Sequence, residues 1–109
     1  MKNVSLALLL VLVGSVSHAV AADAKAGQEI YQTKCRSCHG PDGQGKEALE
    51  KLFQVDMKAL GSENVQDQTD EQLAKVVTAG YGKMPAVKGV SDSDVSDIIA
   101  FVRTLKKTD

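Results

Sequence analysis

The last part of the chain carries its clearest pattern of apolar and polar positions, and the pattern has the period of an α-helix. Its apolar residues recur at spacings of three and four, at Val95, Ile98, Ile99, Val102 and Leu105. This spacing puts them on one face of a helix. The polar run that begins at Ser91 supplies an N-cap, and its aspartates lie at the positive end of the helix dipole. We therefore predict an amphipathic helix that starts just after Ser91.

Three earlier segments also have a helical pattern. The first runs over Ala24–Lys34 and the second over Lys46–Phe53. The third opens at Thr69, which can form a capping box with Gln72, and ends at Gly80. No run alternates convincingly with period two, and no internal repeat is visible. The pattern predicts an all-α domain with about four short helices.

The first residues of the chain differ from the rest. A basic start at Lys2 precedes an apolar run over residues 4–13, and small residues follow at 19–21. This is the layout of a secretory signal peptide. A membrane anchor is the alternative, but a spanning helix needs roughly 20 apolar residues, about twice the length of this run. We predict a cleaved signal peptide at residues 1–21 and one domain at 22–109.

The composition limits what such a domain can bury. Residues 22–109 number 88, contain no tryptophan and have four aromatic rings, Tyr31, Phe53, Tyr81 and Phe101. So small a core is marginal on its own. The formal net charge of −1 becomes −2 without Lys2, and it gives no indication of nucleic-acid binding. No Ser-His-Asp set, paired carboxylates or phosphate-binding loop supports a hydrolytic enzyme.

Residues 35–39, Cys-Arg-Ser-Cys-His, carry the strongest chemical motif. Cys-x-x-Cys-His is an attachment signature for c-type haem. On a helical turn Cys35 and Cys38 lie on the same face, and His39 follows Cys35 by four residues. The two thiols can form thioethers with the two vinyl groups of one haem while the imidazole reaches the iron. A buried haem would also supply the apolar volume that the core lacks.

Three other interpretations of the motif have less support. A zinc site needs four ligands, but the chain has two cysteines, and its other histidine, His18, lies in the predicted signal peptide. A thioredoxin-like redox pair is expected near a βαβ pattern, which is absent. A structural disulfide is compatible with export, although so short a loop would constrain the unfolded chain little. A denaturing gel stained for haem separates the haem-free alternatives from haem attachment.

A haem held by one histidine has a sixth iron position, and its ligand separates electron transfer from small-molecule chemistry. Met84 lies in a loop that Gly82 and Pro85 shape, where a thioether can be laid over a flat ring. Met57 lies among apolar residues, where methionine commonly fills gaps. Met84 is the favoured candidate, while Met57, Lys83 and the absence of a protein ligand stay open.

Taken together, the chain resembles a small bacterial class I cytochrome c over essentially all of residues 22–109. The resemblance rests on the Cys-x-x-Cys-His motif, on Met84 followed by proline, and on the first and last helices. It implies a cytochrome c fold around one covalent haem c per chain. It further implies that Cys35 and Cys38 form the thioethers and that His39 and Met84 are the axial iron ligands.

The resemblance also implies a function. Proteins of this family carry single electrons between other redox proteins, and haem is joined to their cysteines outside the cytoplasm in bacteria. With the signal peptide, this predicts a soluble periplasmic carrier, not an enzyme, without stable membrane insertion after cleavage. The alternative is a haem domain with a displaceable sixth ligand, which acts as a gas sensor or handles peroxide. Firm Met84 ligation favours the carrier.

Two details of the family pattern concern particular residues here. In the family the first and last helices cross, and a glycine on the first receives an aromatic ring from the last. Gly27 and Phe101 match those places. Many members also have a proline whose carbonyl accepts the second N–H of the haem histidine, but none lies between Leu52 and Leu60. The carbonyl that orients His39 is therefore open.

Basic residues adjoin the motif and the methionine loop. These residues are Lys34, Arg36, Lys83 and Lys88, whereas acidic residues gather at the start of the last helix. A basic rim around a haem edge would favour an anionic partner through long-range attraction. An ordinary solvated surface is the alternative.

Overall fold

The structure, a computed structural model, describes residues 21–107 together with Val11 and Gly14. The predicted signal peptide, residues 1–21, lies outside the described residues except at Val11, Gly14 and Ala21, so its cleavage stays a prediction. Within the described part of the chain, no helix is long and apolar enough to cross a bilayer.

Six helices form the described part of the chain, which contains no strand beyond one isolated bridge between Tyr81 and Met84. The helices are α1 (Ala24–Lys34), α2 (Arg36–His39), α3 (Glu47–Phe53), α4 (Glu63–Gln66), α5 (Asp70–Ala79) and α6 (Asp92–Thr104). The all-α prediction is confirmed. The four predicted helices correspond to α1, α3, α5 and α6, and two single-turn helices, α2 and α4, are added to them.

The longer helices begin where their capping residues stand. Thr69 Oγ1 accepts the N–H of Gln72 at 3.1 Å, and the Gln72 side chain accepts the N–H of Thr69 at 2.9 Å. Ser91 and Asp94 form the same reciprocal pair at the start of α6. Such pairs satisfy N–H groups that have no partner within the helix. The sequence prediction for α5 and α6 is therefore correct at the level of the caps.

Helix α4 lies in the polar run that follows Leu60, where sequence analysis predicted no helix. Its four residues are too few to show a period. It is held from outside, because the Gln66 side chain donates to the carbonyls of Leu60 at 2.8 Å and Val102 at 3.0 Å. A tertiary contact with α6 thus stabilises this turn.

Helices α1 and α6 cross in close contact at Gly27. A Cβ atom at residue 27 would collide with the carbonyl of Asp97 and come within 2.9 Å of the Ile98 nitrogen. The predicted crossing is present, and the atoms nearest to a Cβ at residue 27 belong to the α6 backbone. The ring of Phe101 lies one helical turn further on. Only a residue without a side chain allows the two backbones to approach this closely.

The next layer of the crossing is an aromatic pair. The ring centroids of Tyr31 and Phe101 lie 4.9 Å apart, with planes inclined by 54°. Tyr31, Phe101 and Cys35 are buried together, and Leu60 and Leu105 pack against them. The buried side chains of α6 complete this core on the α1 side. The well-packed half of the molecule is therefore the α1–α6 crossing.

The other half is packed differently. Helices α3, α4 and α5 contain no fully buried residue. Helix α5 packs on α6, whereas α3 has no comparable contact with another helix of the described part. Leu52 and Phe53 at the end of α3 are 70% and 45% exposed, and Tyr81 is 78% exposed. Large apolar side chains on this side lack a protein partner.

Candidate functional site

The Cys-x-x-Cys-His motif occupies the corner between α1 and α2. Cys35 ends α1 and begins α2. Its carbonyl accepts the N–H of His39 at 2.9 Å and that of Cys38 at 3.2 Å. The three predicted site residues are thus brought together on one turn. Cys35 is buried, Cys38 is exposed and His39 lies between these extremes.

The two cysteines carry free thiols in this structure. Burial, followed by the nearby Cys38, raises the pKa of the Cys35 thiol to about 11. Thiol–disulfide exchange proceeds through the thiolate, which such a pKa disfavours near neutral pH. Cys35 is therefore not set up as an attacking thiolate.

His39 is set up as a neutral imidazole. Burial lowers its pKa below the ordinary histidine value, and a metal ligand must be the unprotonated base. Its Nδ1 atom is buried and has no hydrogen-bond partner among the described residues. A buried polar atom without a partner costs free energy. The lowered pKa therefore fits a role as a metal ligand, and within the described part of the chain Nδ1 lacks the acceptor that ordinarily orients a metal-bound imidazole.

The residues after His39 fold back against it. The N–H of Gly45 donates to the His39 carbonyl at 2.8 Å, and the N–H of Leu60 donates to the Gly43 carbonyl at 2.8 Å. This loop is therefore tied both to the histidine and to the segment that precedes α4. It keeps the backbone close to the motif, as expected from its glycines.

Met84 lies in a tight turn and not in an extended loop. Tyr81 and Met84 exchange two backbone hydrogen bonds of 2.9 Å each. Gly82 between them has φ +55°, which a residue with a side chain rarely adopts. The pairing is local, between residues three apart, but glycine and proline allow several turn geometries, so they indicated a loop without indicating its closure. Met84 itself is partly buried.

The turn is held against the end of α5. A Cβ atom at Gly80, which has φ +81°, would lie 2.7 Å from the Met84 carbonyl oxygen. The N–H of Val87 also donates to the Val77 carbonyl at 2.8 Å. Both sides of Met84 are thus anchored to one helix, and the position of its thioether follows the position of α5.

Met57 lies close to the loop that follows His39. Its N–H donates to Glu50 Oε1 at 3.2 Å. A Cβ atom at Gly45 would lie 3.2 Å from the Cβ of Met57. Since Gly45 is bonded to the His39 carbonyl, Met57 packs beside the loop that carries the histidine.

The surroundings accommodate a large apolar group. Leu52 and Phe53 of α3 and Tyr81 of the Met84 turn are exposed apolar side chains, while Cys35 of the motif belongs to the packed cluster. A flat prosthetic group would cover apolar surface that this small domain leaves open. No cluster of three or more His, Cys, Asp or Glu side chains able to hold a bare metal ion occurs in the described residues, so the donor set does not match a zinc site.

Comparisons with known proteins agree with this chemistry. Residues 22–102 match the family described as cytochrome c oxidase, cbb3-type, subunit III. The chain is 28% identical over 102 residues to cytochrome c6 of Picosynechococcus sp.. The aligned part covers 91% of this chain and 87% of that protein. It is 32% identical over 82 residues to cytochrome c6 of Leptolyngbya boryana, with 74% and 91% covered. The solved c-type cytochrome KustC0563 has a TM-score of 0.63 at 23% identity and covers 74% of this chain and 98% of that one, a likeness of fold.

Proposed function

The chain belongs to the c-type cytochromes, in the family described as cbb3-type cytochrome c oxidase subunit III, and we propose that it carries single electrons between larger redox proteins. The cofactor of the family is covalent haem c, and Cys35 and Cys38 have the spacing of its attachment motif. The observation that carries the proposal is the single turn that joins both thiols to a partly buried, neutral His39.

We propose His39 and Met84 as the axial ligands. When bound, the haem supplies a one-electron couple, and an iron with both axial positions filled by protein has little room for substrate. The polypeptide contributes a neutral imidazole at His39 and a thioether whose backbone is anchored on both sides to α5. Thioether sulfur favours ferrous iron, so this pair raises the reduction potential relative to two histidines.

Met57 is the less suitable sulfur ligand. An axial ligand opposite the histidine must reach the far face of the ring, and Met57 packs beside Gly45 in the loop bonded to His39. The two methionines thus form a matched pair for an experiment. Met84→Ala should leave covalent haem intact, abolish the weak red band of sulfur-ligated ferric haem, lower the potential and permit carbon monoxide binding in the reduced state.

Met57→Ala is the control and should cost packing while leaving the spectrum unchanged. The opposite pattern, with the sulfur band lost in Met57→Ala and kept in Met84→Ala, would reverse the axial assignment. If the wild-type protein lacks the band and binds carbon monoxide freely, the result would contradict the carrier function and support the alternative, a gas sensor or peroxide-handling domain.

We propose export to the periplasm, with cleavage after residue 21 or 22. The support is the basic, apolar and small-residue layout of residues 1–21. The mass of the protein recovered from a periplasmic extract tests this proposal. It should equal residues 22–109 or 23–109 plus one haem, and a mass that includes residues 1–21 would contradict it.

The proposed partner surface is the basic rim. Lys34, Arg36, Lys83 and Lys88 are exposed, and none of them forms an ion pair within the described residues. The Nζ atom of Lys34 lies 3.3 Å from the Cβ position of Gly89, so this charge of α1 reaches the backbone of the residue that follows Lys88. Charges that are not neutralised locally can attract an anionic partner.

Stopped-flow electron transfer to an acidic acceptor, across a series of ionic strengths, tests the rim. The second-order rate should fall as salt rises, because exposed charges are screened over about 10 Å at 0.1 M salt. Lys34→Gln with Lys88→Gln should flatten the response, whereas Lys51→Gln, at a site paired with Glu47, should not. A wild-type rate that is flat or rises with salt contradicts the proposal.

A further inference from the structure

Tyr31 is a buried phenol whose hydroxyl has one defined partner. The side chain is 1% exposed, and its hydroxyl donates to the carbonyl of Gly40 at 2.6 Å. Gly40 is the residue directly after His39 and ends α2. The accepting carbonyl belongs to the Gly40–Pro41 peptide, so the bond joins the middle of α1 to the backbone one residue beyond the proposed iron ligand.

We propose that Tyr31 is a positioning residue for His39, because its hydroxyl fixes the Gly40 peptide and thereby the orientation of the imidazole plane. This inference rests on the proposed function in that it takes His39 as an iron ligand. Tyr31 touches neither the iron nor the imidazole in this role. It acts through the backbone of residues 39 and 40.

The argument begins with what the imidazole lacks. A metal-bound histidine is ordinarily oriented by an acceptor for its other ring N–H, but His39 Nδ1 has no partner among the described residues. The orientation of the ring then depends on how firmly the backbone on either side is held. Two consecutive carbonyls hold this backbone in place. The N–H of Gly45 donates to the His39 carbonyl at 2.8 Å, and the Tyr31 hydroxyl donates to the Gly40 carbonyl.

The Tyr31 bond is the shorter and better fixed of the contacts to Gly40. The other donor to this carbonyl is the N–H of Gly43 at 3.3 Å, near the long end of hydrogen-bond geometry. The phenol is also held at its ring, which packs on Phe101 of α6 with centroids 4.9 Å apart. A rigid donor fixed at the α1–α6 crossing therefore meets a flexible glycine peptide beside the ligand.

The chemistry of the phenol suits a permanent donor. Burial raises the pKa of Tyr31 to about 12, so the hydroxyl keeps its proton throughout the range in which a c-type cytochrome is expected to work. Removal of the hydroxyl would leave the Gly40 carbonyl with its weaker partner. The His39 backbone could then relax, and the plane of the imidazole would turn with it.

The test uses the haem-loaded protein with Tyr31→Phe, which removes one oxygen and keeps the ring pair. In a low-spin ferric haem the NMR shifts of the ring methyl groups depend on the orientation of the axial imidazole. We expect a changed spread of the methyl resonances and a shifted reduction potential, together with a lower melting temperature. The thioether-attached haem should remain.

Phe101→Leu is the matched control for packing, since it removes the same ring pair and keeps the hydroxyl. It should lower the melting temperature and change the methyl pattern less than Tyr31→Phe does. If Tyr31→Phe also keeps the wild-type methyl pattern and potential, the phenol is merely a core residue and the inference is overturned.

A measurement on the wild-type protein needs no variant. The Tyr31 hydroxyl proton should exchange slowly with solvent and show a nuclear Overhauser contact to Gly40, whereas fast exchange would overturn the inference. The proposed function fails separately. A wild-type protein without the sulfur band would refute Met84 ligation, while the exchange rate of the Tyr31 hydroxyl proton and its contact to Gly40 would still test the hydrogen bond.

Discussion

The α1–α6 crossing and the region from α3 to the Met84 turn differ in how far the polypeptide buries its own side chains. At the crossing, Gly27 meets the α6 backbone, Tyr31 stacks on Phe101, and five residues of α6 are buried. In the other region α3, α4 and α5 have no fully buried residue. We call the first region complete because the polypeptide buries its own apolar side chains there. We call the second region incomplete because it has apolar side chains that lack a partner.

The difference indicates where the haem contributes to folding. The Cys-x-x-Cys-His turn lies at the border, with Cys35 in the core of the crossing and Cys38 exposed. A covalent haem at this turn would be attached to the complete region and would be available for contact with the apolar side chains of the incomplete region. The crossing then acts as the support, and the haem acts as the core of the remainder.

Loss of the haem should therefore have the largest effect. The double variant Cys35→Ala with Cys38→Ala, exported from the same signal peptide, should carry no thioether-bound haem and should show no cooperative thermal transition. Without the haem, the apolar area buried in so small a domain does not offset the entropy of the chain. Haem staining of a denaturing gel and a melting curve followed by circular dichroism measure both effects.

Ser37→Ala, between the two cysteines, is the control and should mature and melt as the wild type does. A sharp cooperative transition in the haem-free double variant, close to that of the wild type, would show that the polypeptide completes both regions alone. The proposed division of the molecule would then be wrong.

The sequence predicted the complete region better than the incomplete one. Helices α1 and α6 could be located because their period and caps are local properties, as the pair Ser91 and Asp94 shows. The close approach of Gly27 to the α6 backbone could not be predicted, because the register of a crossing depends on both helices at once. The hydroxyl bond from Tyr31 to Gly40 leaves no local pattern at all.

In the other region, sequence analysis missed one helix and the closure of one turn. Helix α4 exists because Gln66 binds two carbonyls outside it, and a polar tetrapeptide has no period to detect. The Met84 turn closes through a backbone pairing with Tyr81, which glycine and proline allow but do not specify. The site residues Cys35, Cys38 and His39 could be proposed from sequence because the chemistry of the motif lies within five residues.

A second prediction concerns the interior of the crossing. Gly27→Val should lower the free energy of unfolding by about 3 kcal/mol, because a branched side chain would be forced into the backbone of α6. Chemical denaturation of the haem-loaded protein measures it. Gln28→Val, at the exposed neighbouring position, should cost at most about 0.7 kcal/mol through helix propensity. Equal midpoints for Gly27→Val and wild type would contradict the backbone contact.

A third prediction addresses the link between the regions, which is Arg103 of α6. Its guanidinium donates to the carbonyls of Gln66 at 2.8 Å and Gln68 at 2.6 Å, and it pairs with Asp70 at 2.8 Å. Arg103→Ala leaves both carbonyls without this donor and should cost about 2 kcal/mol. Thermal or denaturant unfolding of the haem-loaded variant measures this loss.

Asp70→Asn separates the ion pair from the carbonyl bonds. The Asp70 side chain is 70% exposed, so its charge should contribute no more than about 1 kcal/mol. We expect the Arg103 variant to be clearly the less stable of the two. Equal losses would mean that the ion pair, and not the bonds to the α4–α5 segment, joins the regions.

The smallest expected effect is a pH dependence carried by Tyr31. Burial raises the pKa of this phenol to about 12 in the folded protein, against about 10 for an exposed tyrosine. The folded state therefore holds the proton more firmly than the unfolded chain. The resulting stability is fully present below about pH 10 and is lost as the pH rises towards 12. At pH 11 the loss should be about 1 kcal/mol.

Tyr31→Phe removes this contribution, so its free energy of unfolding should fall less between pH 8 and pH 11 than that of the wild type, while the other titrating groups are common to both proteins. Tyr81→Phe, which removes a hydroxyl at a residue 78% exposed, should follow the wild-type dependence. If Tyr31→Phe and wild type lose equal stability over this range, the phenol is not isolated from water at the crossing, and the complete region is less tightly packed than its contacts indicate.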